Sequence, residues 1–455
     1  MAEYDAFKKF AADEAKNFKA ENVKIVSHLD SDGIASAAIL IKLCGLLGIN
    51  SSTSIIPQLS QDEITKISLE NNETVIFSDI GSNHASQIKQ KIKNAVILDH
   101  HKPDSEPRQN HINPHFFGID GSSEISGAGV AYLFAKSAHE GIKEYAHLAL
   151  IGAIGDMQEK NGFTGLNKEI LEDALNSKKI RIEKGLKIFG LQTRPIHKLL
   201  EYSSDFNLPG ITGSDAGAVK FLHKIGIKPM IGKKWKKFGD LTGEEINKLV
   251  SGLIAIRKKE KNPESIVGTR YLLIDERCNS PFYDLKEFST LLNGCGRLKK
   301  YSPGIGACLG DEKAKHSAVK ALLDYKKEIK DFMQWFKDNR KKEMITEENN
   351  YVIINAKEEV PCTMIGTMSS IISRSRLVNP GTCVLGLARQ ADKTKVSLRI
   401  PPNTKITSAR EMLKEIAESV GGEAGGHQLA AGAVIETAKE EEFIKKAKEK
   451  LKACS

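Results

Sequence analysis

Between residue 23 and about residue 156 the chain alternates short apolar runs with helical segments, and this alternation limits the fold more than any other feature. VKIVSH (23–28), TVIFSDI (74–80) and AVILDH (95–100) read as strands. GIASAAILIKLCGLLG (33–48), SNHASQIKQKIKN (82–94) and residues 128–140 read as helices. Strands separated by helices return to the sheet by crossovers, so βαβ units and a mainly parallel sheet follow. The segment 101–118, HKPDSEPRQNHINPHFFG, reads as a loop, and YAHLALIGAIGD (145–156) as a further apolar strand ending in Asp156.

From about 165 to 345 the helical period dominates, interrupted at Pro195, Pro209, Pro229, Pro263 and Pro303. A long polar helix is expected over 316–345, and the charged NRKKEMITEENN (339–350) reads as a linker. YVIINA (351–356), a helix at 365–376, CVLGLAR (383–389), KVSLRI (395–400), a helix at 407–420 and AAGAVIE (430–436) then make a second, smaller α/β unit. The expected division is 1–165, 166–345 and 346–455. The expected fold is α/β, with a helical middle region and an active-site cleft between the two α/β domains.

A chain of 455 residues with 40% apolar and 27% charged residues can bury several cores and has an ordinary globular composition. No apolar run approaches the ~18 residues of a membrane span. Residues 1–22 lack the apolar centre of a signal peptide, so a cytoplasmic protein is expected. Cys44, Cys278, Cys295, Cys308, Cys362, Cys383 and Cys454 form no CxxC pair, which argues against a zinc site or disulfide framework. The net charge of +9, concentrated at KKWKKF (233–238), RKKEK (257–261) and the C-terminus, suits a polyanion partner. Lys/Glu-rich surfaces also serve solubility and heat stability.

Four apolar runs, each read as a strand, end in acidic or imidazole groups: His28, Asp30 and Asp32; Asp79; Asp99, His100 and His101; and Asp156. Strand carboxyl ends in an open α/β sheet face one crevice. Carboxylates converging there repel one another, and a divalent cation resolves the repulsion. Carboxylates with neutral imidazoles suit manganese, or magnesium with more water. A bridging aspartate would let two cations sit ~3.5–4 Å apart, the spacing used for phosphoryl displacement. Helix N-capping is the alternative for any single aspartate.

These motifs resemble the DHH phosphoesterase family: HLDSDG (28–33), FSDIG (77–81), LDHH (98–101) and GDM (155–157) in order. LNGCGRL (292–298) is similar to a motif of RecJ-type nucleases, and GGEAGGHQLAAGA (421–433) to the glycine–histidine motif of the DHH-associated C-terminal domain. Glu423 and Ala424 depart from the usual run of glycines, which leaves Gly425, Gly426 and His427 as the match. The resemblance covers nearly the whole chain and extends to archaeal RecJ-like proteins, including the GINS-associated nuclease.

It implies that His28, Asp30 and Asp79 hold one metal and that Asp32, Asp79, His100 and Asp156 hold another. It further implies that His101 reaches the scissile phosphate and that Asp99 orients a histidine. Arg297, Arg399, Gly425, Gly426 and His427 would hold the rest of the substrate. A surface ion pair is the alternative for each arginine. SGAG (126–129) offers either an anion site at a helix N-terminus or a serine cap, and Tyr202, Phe206, Trp235 and Phe238 either stack bases or pack a core. His84, His111 and His115 are read as solvated.

The implied activity is metal-dependent single-strand exonucleolysis, 5′→3′ by resemblance alone, releasing mononucleotides from DNA or RNA in replication or repair. The competing readings are a short-oligonucleotide phosphatase of the nanoRNase type, a cyclic-dinucleotide phosphodiesterase, and a replication-fork scaffold bound to GINS.

Overall fold

A parallel sheet sits at the heart of the N-terminal region of this computed structural model. The structure describes residues 2–453 except 71, 105, 107, 108, 161, 204, 205, 376, 380, 402, 403, 405, 407 and 427. The chain divides into two units, Met1–Leu322 and Leu323–Ser455. The first opens with α1 (Ala2–Asn17), β1 (Asn22–His28), α2 (Ser31–Leu47), β2 (Asn50–Ile56) and α3 (Gln61–Leu69). It continues with β3 (Thr74–Ser78), α4 (Ala85–Lys91), β4 (Ala95–Leu98) and β5 (His111–Ile112).

The strand order is β2-β1-β3-β4-β5, and every pairing is parallel. The chain leaves β1 for β2 on one side and returns to β3 on the other. The order therefore reverses between β1 and β3, where open α/β sheets bind ligands. Val26, Val75, Phe77 and Ile97 pack on Ile64 and Ile67 of α3 and on Ala85 and Ile88 of α4. Asp30 caps α2 through Gly33 N–H at 3.1 Å, and Gly48 closes the helix at φ 70°. β2 escaped the sequence reading because NSSTSII is an exposed, polar edge strand.

α5 (Gly127–Ala138), α6 (Ala146–Gly155) and α7 (Gly165–Asn176) follow. Here one expectation is corrected: LALIGAIG is helix α6, and Asp156 ends a helix instead of a strand. The segment is apolar all round because it is buried on every side, so it carries no period to separate helix from strand.

The middle region is mostly helical but hangs on an antiparallel pair, β6 (Ile180–Leu186) with β9 (Val267–Leu273). Between these strands lie α8 (Ile196–Glu201), α9 (Asp215–Lys224), the hairpin β7 (Met230–Ile231) and β8 (Lys234–Trp235), and α10 (Gly243–Ile256). They share a core of Leu199, Leu200, Phe221, Leu222, Leu249 and Leu253. α11 (Leu285–Arg297) and α12 (Tyr301–Cys308) return to pack on α2. α13 (Glu312–Asn339) runs through the division between the units.

The second unit has β10 (Ile345–Glu347), β11 (Tyr351–Asn355), α14 (Ile365–Arg374), β12 (Cys383–Gln390) and β13 (Lys393–Arg399). It ends with α15 (Ala409–Glu418), β14 (Glu423–Gly426), β15 (Ala430–Glu436) and α16 (Glu440–Ala453). Its sheet runs β10-β11-β12-β13-β15-β14. The expected linker at 339–350 is partly strand: Ile345–Glu347 pairs antiparallel with β11.

Glu440 opens α16 almost fully buried. Arg389 grips it with two hydrogen bonds of 2.8 Å, and Asn355 and Thr394 add bonds of 2.7 and 2.9 Å. Burial opposes ionisation, but Arg389 and these partners hold the carboxyl below the usual range. Glu440→Ala is expected to destabilise the protein by about 2–4 kcal/mol, because Arg389 loses its buried counter-charge and keeps only the exposed Glu358 at 3.6 Å. A depressed carboxyl contributes stability above its unfolded pKa, ~4.3, and loses it below. The gap between wild type and Glu440→Gln in urea midpoint should therefore shrink as pH falls below ~4.3. An unchanged gap at pH 3 would contradict this account.

Candidate metal centre

The loops after β1, β3 and β4 and the end of α6 converge. His28, Asp30 and Asp79 form one group whose ligating atoms lie within 4.8 Å of one another, and Asp32, His100 and Asp156 form a second. Asp79 lies between them. Its Oδ2 is 3.6 Å from His28 Nδ1, and its Oδ1 is 3.3 Å from His100 Nε2. His28 Nδ1 also contacts Asp30 Oδ2 at 2.8 Å, and His100 Nε2 faces Asp156 Oδ2 at 3.3 Å. Side chains of Asp32, Asp79 and His100 are at most 2% exposed, whereas those of His28, Asp30, Asp156 and His101 are 22–29% exposed, so a buried floor carries an open rim.

Two of the three floor residues are held by neighbouring groups. Asp32 points at the N-terminus of α5 and accepts from Gly127 N–H at 2.7 Å and Ala128 N–H at 2.9 Å. Ser126 caps the same helix through Gly129 N–H. Both alternatives for SGAG therefore hold, and the anion at the helix end is the chain's own Asp32. His100 Nδ1 donates to the Gly121 carbonyl at 2.6 Å, which Gln158 Nε2 also reaches at 3.0 Å. That bond leaves Nε2 as the nitrogen that could ligate.

Asp99 accepts from Ser82 N–H at 2.9 Å and from His100 N–H at 2.8 Å, and its Oδ1 lies 2.7 Å from His101 Nδ1. Asn113, fully buried, ties the His101 carbonyl to the Ser82 hydroxyl with bonds of 2.8 Å each. His111, read as solvated, is buried against Ser82 Oγ at 2.9 Å. The Asn113–Pro114 pair opening a turn after the DHH tripeptide was the available signal for this support.

Asp79 adopts φ 58°, a left-handed conformation that Asp and Asn tolerate best. Glycines pack against the ligands so closely that a Cβ on Gly127 would lie 2.5 Å from Asp79 Oδ1, and one on Gly152 2.0 Å from Asp32 Oδ1. α11 supports the first loop: Asn293 Oδ1 accepts from Ser31 N–H at 3.1 Å, and a Cβ on Gly296 would fall 1.6 Å from the Leu29 carbonyl.

The electrostatics follow from crowding. Burial, with Asp79 and Asp156 nearby, holds the Asp32 carboxyl well above its usual range. Burial also pushes Asp156 up to about 6, against the pull of His100. Burial disfavours charge on His28 and His100, but the facing aspartates outweigh it and push His28 up to about 10. Asp99 stays low despite burial because His101 faces it. Asp156 also closes a helix C-terminus, where a negative charge is disfavoured and a cation favoured.

Both Asp79 oxygens and His100 Nε2 are buried without a hydrogen-bond partner. Orphaned carboxylate and imidazole acceptors amid raised carboxyls fit a divalent cation. His28, Asp30, Asp32, Asp79, His100 and Asp156 could hold it.

The other nominated residues divide between the units. Arg297 ends α11, and its charge helps to keep Asp30 ionised. Arg399, in the second unit, donates to Ser370 Oγ at 2.6 Å and to the Gly366 carbonyl at 3.1 Å. Gly425 and Gly426 lie on β14, an edge strand, with open space at Gly425 and φ 137° at Gly426. His427 lies outside the described residues.

Residues 22–153 match the DHH family N-terminal domain, 188–267 the DHH-CID domain and 349–453 the DHHA1 domain. Over 440 residues the chain is 32% identical to an uncharacterized protein of Methanocaldococcus jannaschii, spanning 94% of this chain and 92% of that one. The chain is a member of the DHH family. This DHH-family chain is 25% identical over 170 residues to the single-stranded-DNA-specific exonuclease RecJ of Thermus thermophilus, a match covering 34% of this chain and 25% of that protein.

Among solved structures, exonuclease RecJ bound to manganese superposes with a TM-score of 0.56 at 16% identity, over 98% of this chain and 94% of that one. CDC45 from Entamoeba histolytica gives 0.63 at 12% identity, over 99% of each chain. At these identities the likeness is one of fold. No helix among the described residues is long and apolar enough to cross a membrane.

Proposed function

We propose that this DHH-family protein is a metal-dependent exonuclease specific for single strands, acting 5′→3′ and releasing mononucleotides in DNA replication or repair. The observation that carries this is Asp79, whose two buried, orphaned oxygens face two separate groups of ligating side chains. We assign His28, Asp30 and Asp79 to one divalent cation and Asp32, Asp79, His100 and Asp156 to a second, with manganese preferred over magnesium. Bound there, the cations supply an activated water and neutralise charge on the phosphoryl oxygens.

The chain's residues do the positioning. Asp99 orients His101 toward the scissile phosphate. Arg297 stands near the rim beside Asp30. In the second unit, we assign Gly425 and Gly426 to a phosphate through their backbone N–H groups, and His427 and Arg399 to the same substrate. The single-strand specificity named for the Thermus thermophilus relative supports the choice of substrate. A scaffold that binds GINS without chemistry is the second reading, favoured by the fold shared with CDC45 along the chain. It leaves the orphaned acceptors of Asp79 and His100 unexplained.

Digestion of end-labelled single strands, DNA and RNA, decides between them. With manganese, 5′-labelled DNA should release labelled mononucleotide, and chelator should stop the release completely. Intact strands under every metal would remove the nuclease reading and leave the scaffold.

A further inference from the structure

The insert between β6 and β9 carries a surface that the metal centre does not use. In its hairpin Met230, Ile231 and Trp235 are 38%, 54% and 41% exposed, and Tyr202, just after α8, is 54% exposed. The pieces adjoin. Ile196 N–H donates to the Lys236 carbonyl at 2.7 Å, Pro195 bridges Lys237, and the Trp235 ring lies 3.8 Å from that of His197. Lys198, on the same helix turn, sits over the Tyr202 ring at 5.6 Å, and Arg194 over the same ring at 5.5 Å and over the Phe189 ring at 5.3 Å.

Residues 228–237, KPMIGKKWKK, hold five lysines. Lys236 is taken by Glu245 at 2.6 Å. Among the described residues Lys228, Lys233, Lys234 and Lys237 make no ion pair, and Lys233 and Lys234 are exposed at the turn.

We propose that this surface is an accessory site for single-stranded nucleic acid, with bases stacking on Trp235 and Tyr202 and phosphates meeting Lys233, Lys234 and Lys237. Aromatic faces beside uncompensated lysines are the means by which single-strand channels bind without sequence preference. Lysine is depleted at the cores of protein interfaces, where its strong hydration is a liability, so an acidic protein fits less well. The choice of polyanion rests on the nuclease reading, but the site itself stands apart from the metal ligands.

The chain has two tryptophans, Trp235 and Trp335, so Trp335→Phe leaves Trp235 as the only reporter. With chelator present to prevent cutting, oligo(dT) titrated into this full-length variant should quench Trp235 emission saturably, while inorganic polyphosphate should compete without quenching. Trp235→Ala should weaken binding about tenfold. Lys233→Ala with Lys234→Ala should reduce the slope of log affinity against log salt by about 1.4. The lysine pair is the guard against misfolding, because Trp235 covers His197 whereas both lysines lie on the exposed turn.

Unchanged emission, or affinity unaffected in both variants, would overturn the proposal. So would equal quenching by polyglutamate, which would assign the surface to an acidic protein. Digestion without quenching removes this site and keeps the nuclease reading; quenching without digestion does the reverse.

Discussion

Asp79→Asn should lower manganese-dependent digestion by about 10³-fold or more, since even residues that merely orient metal ligands are worth 10–100-fold. The same change should make the metal-free protein more stable, by about 1–3 kcal/mol. The Asp79 side chain is 2% exposed and lacks hydrogen bonds; besides His28 and His100 it meets the charge of Asp32 and Asp156, the raised carboxyls. An amide removes one repelling charge and adds a donor toward its neighbours. Asparagine also tolerates φ 58°, so the backbone is not the cause of any loss. Manganese should reverse the order, because wild type gains RT ln(1 + [L]/Kd) from a ligand that the variant holds poorly. Urea midpoints of both proteins, with chelator and with manganese, read this crossover. A variant less stable than wild type in chelator would show that Asp79 is a structural carboxylate.

Gly152→Ala should be harmful where helix propensity says it should help. Glycine to alanine inside a helix ordinarily gains about 1 kcal/mol. At Gly152 the new Cβ would stand 2.0 Å from Asp32 Oδ1 and 2.8 Å from the Ala128 side chain. Asp32 cannot retreat, because two N–H groups of α5 hold it. The expected result is a loss of about 1–3 kcal/mol and a fall in digestion of about 10²-fold from displaced Asp32. Gly45→Ala, on α2 with nothing within 4 Å of its Cβ, is the control and should be neutral or stabilising. Equal behaviour of the two variants would mean that α6 does not press on the site.

β1, β3 and β4 were legible because burial on both faces makes them continuous apolar runs, and their ends announced His28, Asp79 and His100 in sequence order; β5, two residues long, lay hidden in the segment read as a loop. Asp156 was legible as a residue but not in its setting, since a buried helix without a polar face has no period to read. Asp30 had been weighed as either cap or site residue; its two oxygens take one part each, Oδ1 to Gly33 N–H and Oδ2 to His28. SGAG was legible as a helix N-terminus able to hold an anion but not as the seat of Asp32, and the Gly121 carbonyl under His100 escaped altogether. A main-chain contact leaves no side-chain signature except a glycine where a Cβ would collide. In the second unit β14 and β10 were missed for a related reason, a glycine-rich edge and a short charged strand with little apolar content.

β6 and β9 pair residue for residue from Ile180 with Leu273 to Leu186 with Val267, so everything from 187 to 266 is entered and left, within the first unit, through one two-stranded neck. Lys187 N–H still bonds the Ile266 carbonyl at 2.8 Å just above it. A neck in hairpin register can be closed by a two-residue turn or opened onto a larger loop without altering the strands below. The segment is thus a module on a socket, whose length and content could change without moving the six candidate ligands. Glu287, which receives Gln192 N–H and the Thr193 hydroxyl at 2.9 and 3.1 Å, is the contact any graft onto that socket must replace.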